Sequence, residues 1–143
     1  MPIRLFTLFE ANTHIPTLEL EFAEMARWRI VADEAVRLLG GEARATEILA
    51  GGPVPEGAAD AAAQLRKAAK FLQGSVRRVQ AIGCVIKDLE LGLVDFPSAI
   101  AGRTVNLCWQ FGEPEVAHFH ELDEGFARRR PLLPTVDAVP LRH

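Results

Sequence analysis

The chain has 143 residues, is 49% hydrophobic and 24% charged, and carries a formal charge of -3 at pH 7. That length suits one domain with its own core, and the charge excludes a global positive field that would gather nucleic acid or anionic lipid. The longest apolar runs, such as Val31 to Leu39, are interrupted by Asp33, Glu34 and Arg37, which argues against a membrane span.

Cys84 and Cys108 are two thiols in a chain with no leader-like segment near Met1, so the expectation is a cytoplasmic protein with reduced cysteines. In chain order, Thr7 stands three residues before Glu10, the reciprocal capping arrangement that starts a short helix. Pro16 fits the first turn of a second helix, because its missing amide has no partner there. Leu18, Phe22, Met25, Ala32, Val36 and Leu39 recur at helical spacing, and Gly40 with Gly41 ends the run. A loop rich in Gly and Pro follows, with one turn expected around Ala43 to Leu49. A third helix is predicted from about Glu56 to Gln80, with a near-heptad seam of Ala58, Ala61 or Ala62, Leu65, Ala68 or Ala69, Leu72, Val76 and Val79. Its alanines permit close approach of a neighbour, so the two long helices are expected to lie antiparallel.

Past Gly83 the period changes to two. "CVIKD", "LVDF", "TVNLCW" and "VAHFH" read as four short strands of a meander, separated by "LELG", "PSAIAGR" and "QFGEPE". Alternation puts Val94, Phe96, Val105, Leu107, Trp109, Ala117 and Phe119 on a core face, and Asp95, Asn106, Cys108, His118 and His120 on the other. "MPIRLF" reads as a further edge strand, and the proline-rich end as a tail. The fold class is therefore α+β, a long antiparallel helical hairpin followed by a four-stranded antiparallel β-meander. Residues 1–133 are read as a single domain, helical over 7–82 and meander over 83–121, with 134–143 as the tail.

The segments "LFTLFEAN", "KDLELGLVDFP", "CWQFGEPEV" and "HFHELDEGFARRRPL" together make the chain resemble a bacterial family known only as a domain of unknown function, DUF 2203. Phe9 stands where that family's opening motif has an acidic residue, and Phe119 where a tryptophan is usual. The resemblance implies a fold and a place to look, and no reaction.

That place is "HFHELDEGF", residues 118 to 126. Hairpin pairing puts Cys108 opposite His118 and Asn106 opposite His120, with Asp95 beside Asn106 on the far strand. Directly opposed Cβ atoms are about 5 Å apart, so Cys108, His118 and His120 can reach one ion. Asp95, two strands from His120 at about 9 to 10 Å, is expected to need a bridging water. Imidazoles and a thiolate suit a zinc-like divalent transition metal. Glu121 joins the set only if the strand ends at His120. The same two histidines also fit the solvated side of a strand, and Asp123 with Glu124 a solvated turn. A Cys108–His118 nucleophilic pair lacks an evident oxyanion donor, there is no phosphate-binding glycine loop, and Arg128, Arg129 and Arg130 read as surface charge.

Two functional readings follow. One is a self-associating binding module, a homodimer through surplus apolar helix surface, with a metal site on the sheet. The other is a metal-dependent hydrolase acting on a small substrate through metal-bound water.

Overall fold

The computed structural model describes residues 4–132. Helices come first: α1 (Leu8–Thr13), α2 (Ile15–Leu39), α3 (Glu42–Leu49) and α4 (Ala59–Ile82). The strands follow: β1 (Val85–Asp88), β2 (Leu93–Ile100), β3 (Arg103–Gln110), β4 (His118–Glu121) and β5 (Arg130–Pro131), the last preceded by a 3-10 turn at Phe126–Arg128. They form one antiparallel sheet in the order β1-β2-β3-β4-β5. The α+β class is confirmed.

The described chain divides into two compact units, one of residues 4–22 with 78–132, the other Ala23–Arg77. In the first, Thr7 Oγ1 accepts from the Glu10 amide at 3.0 Å and Glu10 Oε1 from the Thr7 amide at 2.8 Å, the capping box that opens α1. Val94, Phe96, Val105, Leu107 and Trp109 are buried together with Phe6, Leu18 and Phe22. Phe6 meets Phe96 edge-on at 5.1 Å between ring centres, and Phe22 tilts against Trp109 at 6.1 Å. Arg78 of α4 makes a bidentate ion pair with Glu21 of α2 at 2.6 and 3.0 Å.

In the second unit Trp28 of α2 stacks on Phe71 of α4 at 4.6 Å with an interplanar angle of 5°. Ala35 and Leu39 of α2, Ala45 and Ile48 of α3, and Ala61, Ala62 and Leu65 of α4 make its core. Residues late in α2 thus meet residues early in α4, and the reverse, so the helices pair antiparallel as their alanine-rich seams imply.

Several boundaries differ from those read in the sequence. The region around Ala43–Leu49 is an eight-residue helix, and α4 starts at Ala59, after Pro55 and Gly57. Ala35, rather than Ala32, is the buried alanine of α2. β2 continues through Pro97 to Ile100, and only Ala101 and Gly102, at φ 52° and 80°, turn the hairpin. Pro97 is tolerated because β1 covers β2 only as far as Asp95, so the imide nitrogen faces an edge with no ladder; there the Pro97 carbonyl accepts from the Phe6 amide at 2.7 Å. The expected N-terminal edge strand reduces to that bond and one from Ser98 Oγ to the Phe6 carbonyl at 2.5 Å, with Met1 to Ile3 outside the described residues. A fifth strand, two residues long, lies beyond β4; such a piece is too short for alternation to reveal. The tail, 134–143, also lies outside the described residues.

Gly92 at φ +69° closes on Phe111, whose amide donates to the Gly92 carbonyl at 2.9 Å; a Cβ on Gly92 would sit 2.4 Å from the Phe111 Cβ. Gly92→Ala should therefore cost about 1–3 kcal/mol through strain at both positions. The expected result is a lower urea midpoint at unchanged slope, and an unmoved midpoint would show that the hairpin mouth yields freely.

Candidate metal centre

Three neighbouring strands each contribute one polar side chain to the face opposite the apolar one. Asp95 on β2 pairs in register with Cys108 on β3, which in turn faces His118 on β4; the next row is Pro97, Asn106 and His120. The predicted pairings of Cys108 with His118 and of Asn106 with His120 are therefore observed. Asp95, however, stands in the row of Cys108, one pair away from its expected place beside Asn106.

His120 reaches diagonally across β3, and its Nε2 lies 3.0 and 3.1 Å from the two Asp95 oxygens. No water is needed between them, because the side-chain lengths of an imidazole and a carboxylate span a gap that backbone spacing alone leaves open. His120 Nδ1 lies 2.9 Å from the Glu121 carbonyl oxygen. A carbonyl only accepts, so Nδ1 carries a proton, and a further proton is shared along the Nε2–Asp95 contact. Asp95, Cys108 and His120 are 3%, 1% and 2% exposed, and their ligand atoms all lie within 4.8 Å of one another. Burial raises the Asp95 carboxyl above the usual range, while the His120 hydrogen bond and charge draw it back. Burial, then the neighbouring Asp95 charge, pushes the Cys108 thiol up to about 11, and Arg129 opposes them.

The remaining predicted residues stand elsewhere. His118 is on the same face as Cys108, but its Nδ1 approaches Glu113 Oε2 only to 3.9 Å and is buried without a hydrogen-bond partner. β4 runs on through Glu121, so that side chain projects from the other face, where Arg103 grips it at 3.0 and 2.8 Å. Asp123 is exposed, while the partly exposed Glu124 accepts from the Glu121 amide and from Arg130.

Two residues at the site were missed in the sequence. Arg129 donates to Glu113 Oε1 at 3.0 Å and Oε2 at 2.7 Å and lies 4.2 Å over the Phe126 ring. Glu113 also accepts from the Gln110 amide at 2.7 Å. Burial works to raise the Glu113 carboxyl, yet these bonds hold it below the ordinary range. Within "RRR" no periodicity distinguishes the arginine that turns inward, and "GEPE" reads as a plain turn.

The geometry sorts the available chemistries. A cysteine nucleophile needs an imidazole nitrogen free to take its proton, and both nitrogens of His120 face oxygen atoms. One nitrogen, one sulfur and one carboxylate, with ligand atoms within 4.8 Å of one another on three strands, form a group that could hold a metal ion. The Nδ1–H to carbonyl bond is the kind of support that orients a metal-binding imidazole.

A family model described as an uncharacterized conserved protein (DUF2203) matches residues 4–132. The chain belongs to that family. No curated protein and no solved structure matches it. The DUF2203 match takes in all five residues of the polar network, Asp95, Cys108, Glu113, His120 and Arg129. Among the described residues no helix is long and apolar enough to cross a membrane.

Cys84 is also buried and pushed up to about 11 by burial. At pH 8 only about one in a thousand of either thiol would then be ionised, against roughly a quarter for a free cysteine. A disulfide-exchange reagent should label neither cysteine in the native protein and both after denaturation; prompt native labelling of Cys108 would contradict the sealed site.

Proposed function

We propose that this DUF2203 member is a metal-binding module that holds one divalent transition metal of the zinc class through Asp95, Cys108 and His120. The observation that carries the reading is the convergence of those three ligand atoms within 4.8 Å, from three strands whose register is tied by backbone pairing. The donor set is matched in charge, since a carboxylate and a thiolate neutralise a divalent ion, which a buried site requires. His118, with its Nδ1 buried and unpartnered opposite Cys108, is the candidate for the fourth position of a tetrahedral shell. Glu121 faces the other side and is left out of the set. Burial of all three ligands favours a structural or storage site over the hydrolytic alternative, because metal-assisted hydrolysis needs a coordination position open to water and substrate.

Cobalt(II) titration of untagged protein tests this. One equivalent should bind with a thiolate charge-transfer band, and Cys108→Ser and His120→Ala should each remove the band. Metal at a hundredfold excess over its dissociation constant should stabilise the fold by about 2.7 kcal/mol. Wild-type protein that shows no band, or variants that bind equally, would overturn the assignment.

A second reading, self-association with another copy of the chain, is favoured by a separate observation. In the Ala23–Arg77 unit, Ile30 and Leu38 are 71% and 58% exposed and border an apolar groove of about 450 Å³ with Val31, Ala35 and Ala61. A patch of this kind on α2 is suited to the equivalent helix of a second molecule. Sedimentation at micromolar concentration should give a dimer that Leu38→Glu converts to monomer, and a wild-type monomer would remove this reading.

A further inference from the structure

The net charge of -3 conceals an uneven distribution. Between Asp60 and Asp88 there is no acidic residue, while Arg66, Lys67, Lys70, Arg77, Arg78 and Lys87 fall in that stretch, all but Lys87 on α4. Helical spacing aligns Arg66, Lys70, Gln73 and Arg77 along one exposed crest of α4, opposite the buried Ala61, Leu65 and Ala68. At about 1.5 Å per residue the crest from Arg66 to Arg77 is about 16 Å long. Among the described residues Arg66, Lys70 and Arg77 have no ion pair. On its flank Phe71, 45% exposed, stacks by one face on Trp28 at 4.6 Å, and Lys67 and Arg27 lie 5.6 and 5.4 Å from the Trp28 ring centre. We infer that this crest is a binding surface for single-stranded nucleic acid, with Arg66, Lys70 and Arg77 on the phosphates and Phe71 as the platform for an unpaired base. The inference is independent of the metal centre.

Charge complementarity selects a polyanion, since a row of cations without interleaved carboxylates attracts a regularly charged chain and releases its counterions. The aromatic flank then selects among polyanions. A base stacks on an exposed ring whatever its identity, and neighbouring cations strengthen that contact, so cations beside an aromatic stack are the two parts a single strand requires. An anionic bilayer would call for large apolar side chains on the crest itself to enter it, and the crest carries none. A second copy of the chain would have to offer free carboxylates, whereas Glu21, Glu24 and Glu34 of α2 already face arginines at 2.6 to 3.2 Å. The surface is local, so it is compatible with an acidic chain.

The experiment reads the fluorescence anisotropy of a labelled oligothymidylate titrated with the untagged full chain. Wild type should bind with a dissociation constant of about 1–100 μM near physiological salt, and its log affinity should fall against log salt with a slope of about -2, the value for three phosphates on a single strand. Arg66→Gln, Lys70→Gln and Arg77→Gln combined should weaken binding by at least about tenfold and flatten the slope. Lys70→Gln alone should weaken it severalfold, and Arg44→Gln, which removes an exposed cation away from the crest, should leave it unchanged. Phe71→Leu keeps an apolar side chain but removes the ring, and should cost about 5–100-fold. A single strand should bind more tightly than its duplex, because the platform needs an unpaired base while charge alone prefers the denser duplex phosphates. Absence of wild-type binding, equal losses in Lys70→Gln and Arg44→Gln, unchanged affinity in Phe71→Leu, a duplex bound as tightly as the strand, or tighter binding to phosphatidylserine vesicles or polyglutamate would each overturn the inference. Should Phe71→Leu fail to fold, the comparison of strand with duplex on the wild type decides.

Discussion

A carboxylate and an imidazole, both nearly sealed from solvent, face each other across an intervening strand at 3.0 Å, and the arrangement of the sheet's polar side depends on that contact. Removing either partner would leave the other buried without its complement, a situation that typically costs about 3–5 kcal/mol. The contact also reports on register. Because strand side chains alternate, a one-residue slip of β4 against β3 would send His120 to the apolar face and bring Phe119 or Glu121 in its place. The pair therefore belongs to one alignment of β2, β3 and β4 and to no neighbouring one.

The two faces of the sheet solve different problems. On one, Val94, Phe96, Leu107 and Trp109 are buried with aromatic partners from the N-terminal segment and α2. That face is held by area, and apolar packing tolerates substitutions that conserve volume. On the other, Asp95, Cys108 and His120 are just as buried, and Arg129 with Glu113 completes the polar network beside them. That face is held by geometry, with Asp95 paired to His120 and Glu113 to Arg129, so it has less tolerance. His118 Nδ1 is the exception, a buried nitrogen with no hydrogen bond beside an otherwise satisfied cluster.

The legibility of these features in the sequence follows from their range. Local ones were readable: the Thr7–Glu10 box, the helical spacing of Leu18, Phe22 and Met25, and the period-two runs that separate Trp109 from Cys108. Parity alone placed Cys108, His118 and His120 on one side, and pairing by shared parity gave two of the three pairings, Cys108 with His118 and Asn106 with His120. Asp95 fell in the wrong row because Pro97 was read as the end of a strand, whereas it sits where β1 no longer needs a ladder donor. The direct Asp95–His120 contact was missed for a related reason, as strand spacing measures backbones and says little about long side chains on a diagonal. Arg129 and Glu113 were out of reach altogether. Their meeting depends on how the segment after β4 folds back as β5, and nothing in a run of three arginines encodes which one turns inward.

The cost of this polar face is itself an argument about its use. Buried ion pairs replaced by apolar residues of similar volume are often as stable or more so, and three ionisable groups concentrated at the centre of a small sheet are a poor choice for stability alone. Leucine and valine at these positions would make the second face resemble the first. A constellation that is unfavourable in isolation becomes favourable once a ligand supplies the missing interaction, and the ligand must then match what the groups share. Asp95, Cys108 and His120 share the ability to donate electron pairs after losing protons, from three donor types that no single organic ligand class requires together. A divalent cation meets that condition, returning in coordination energy what burial withholds from each group separately.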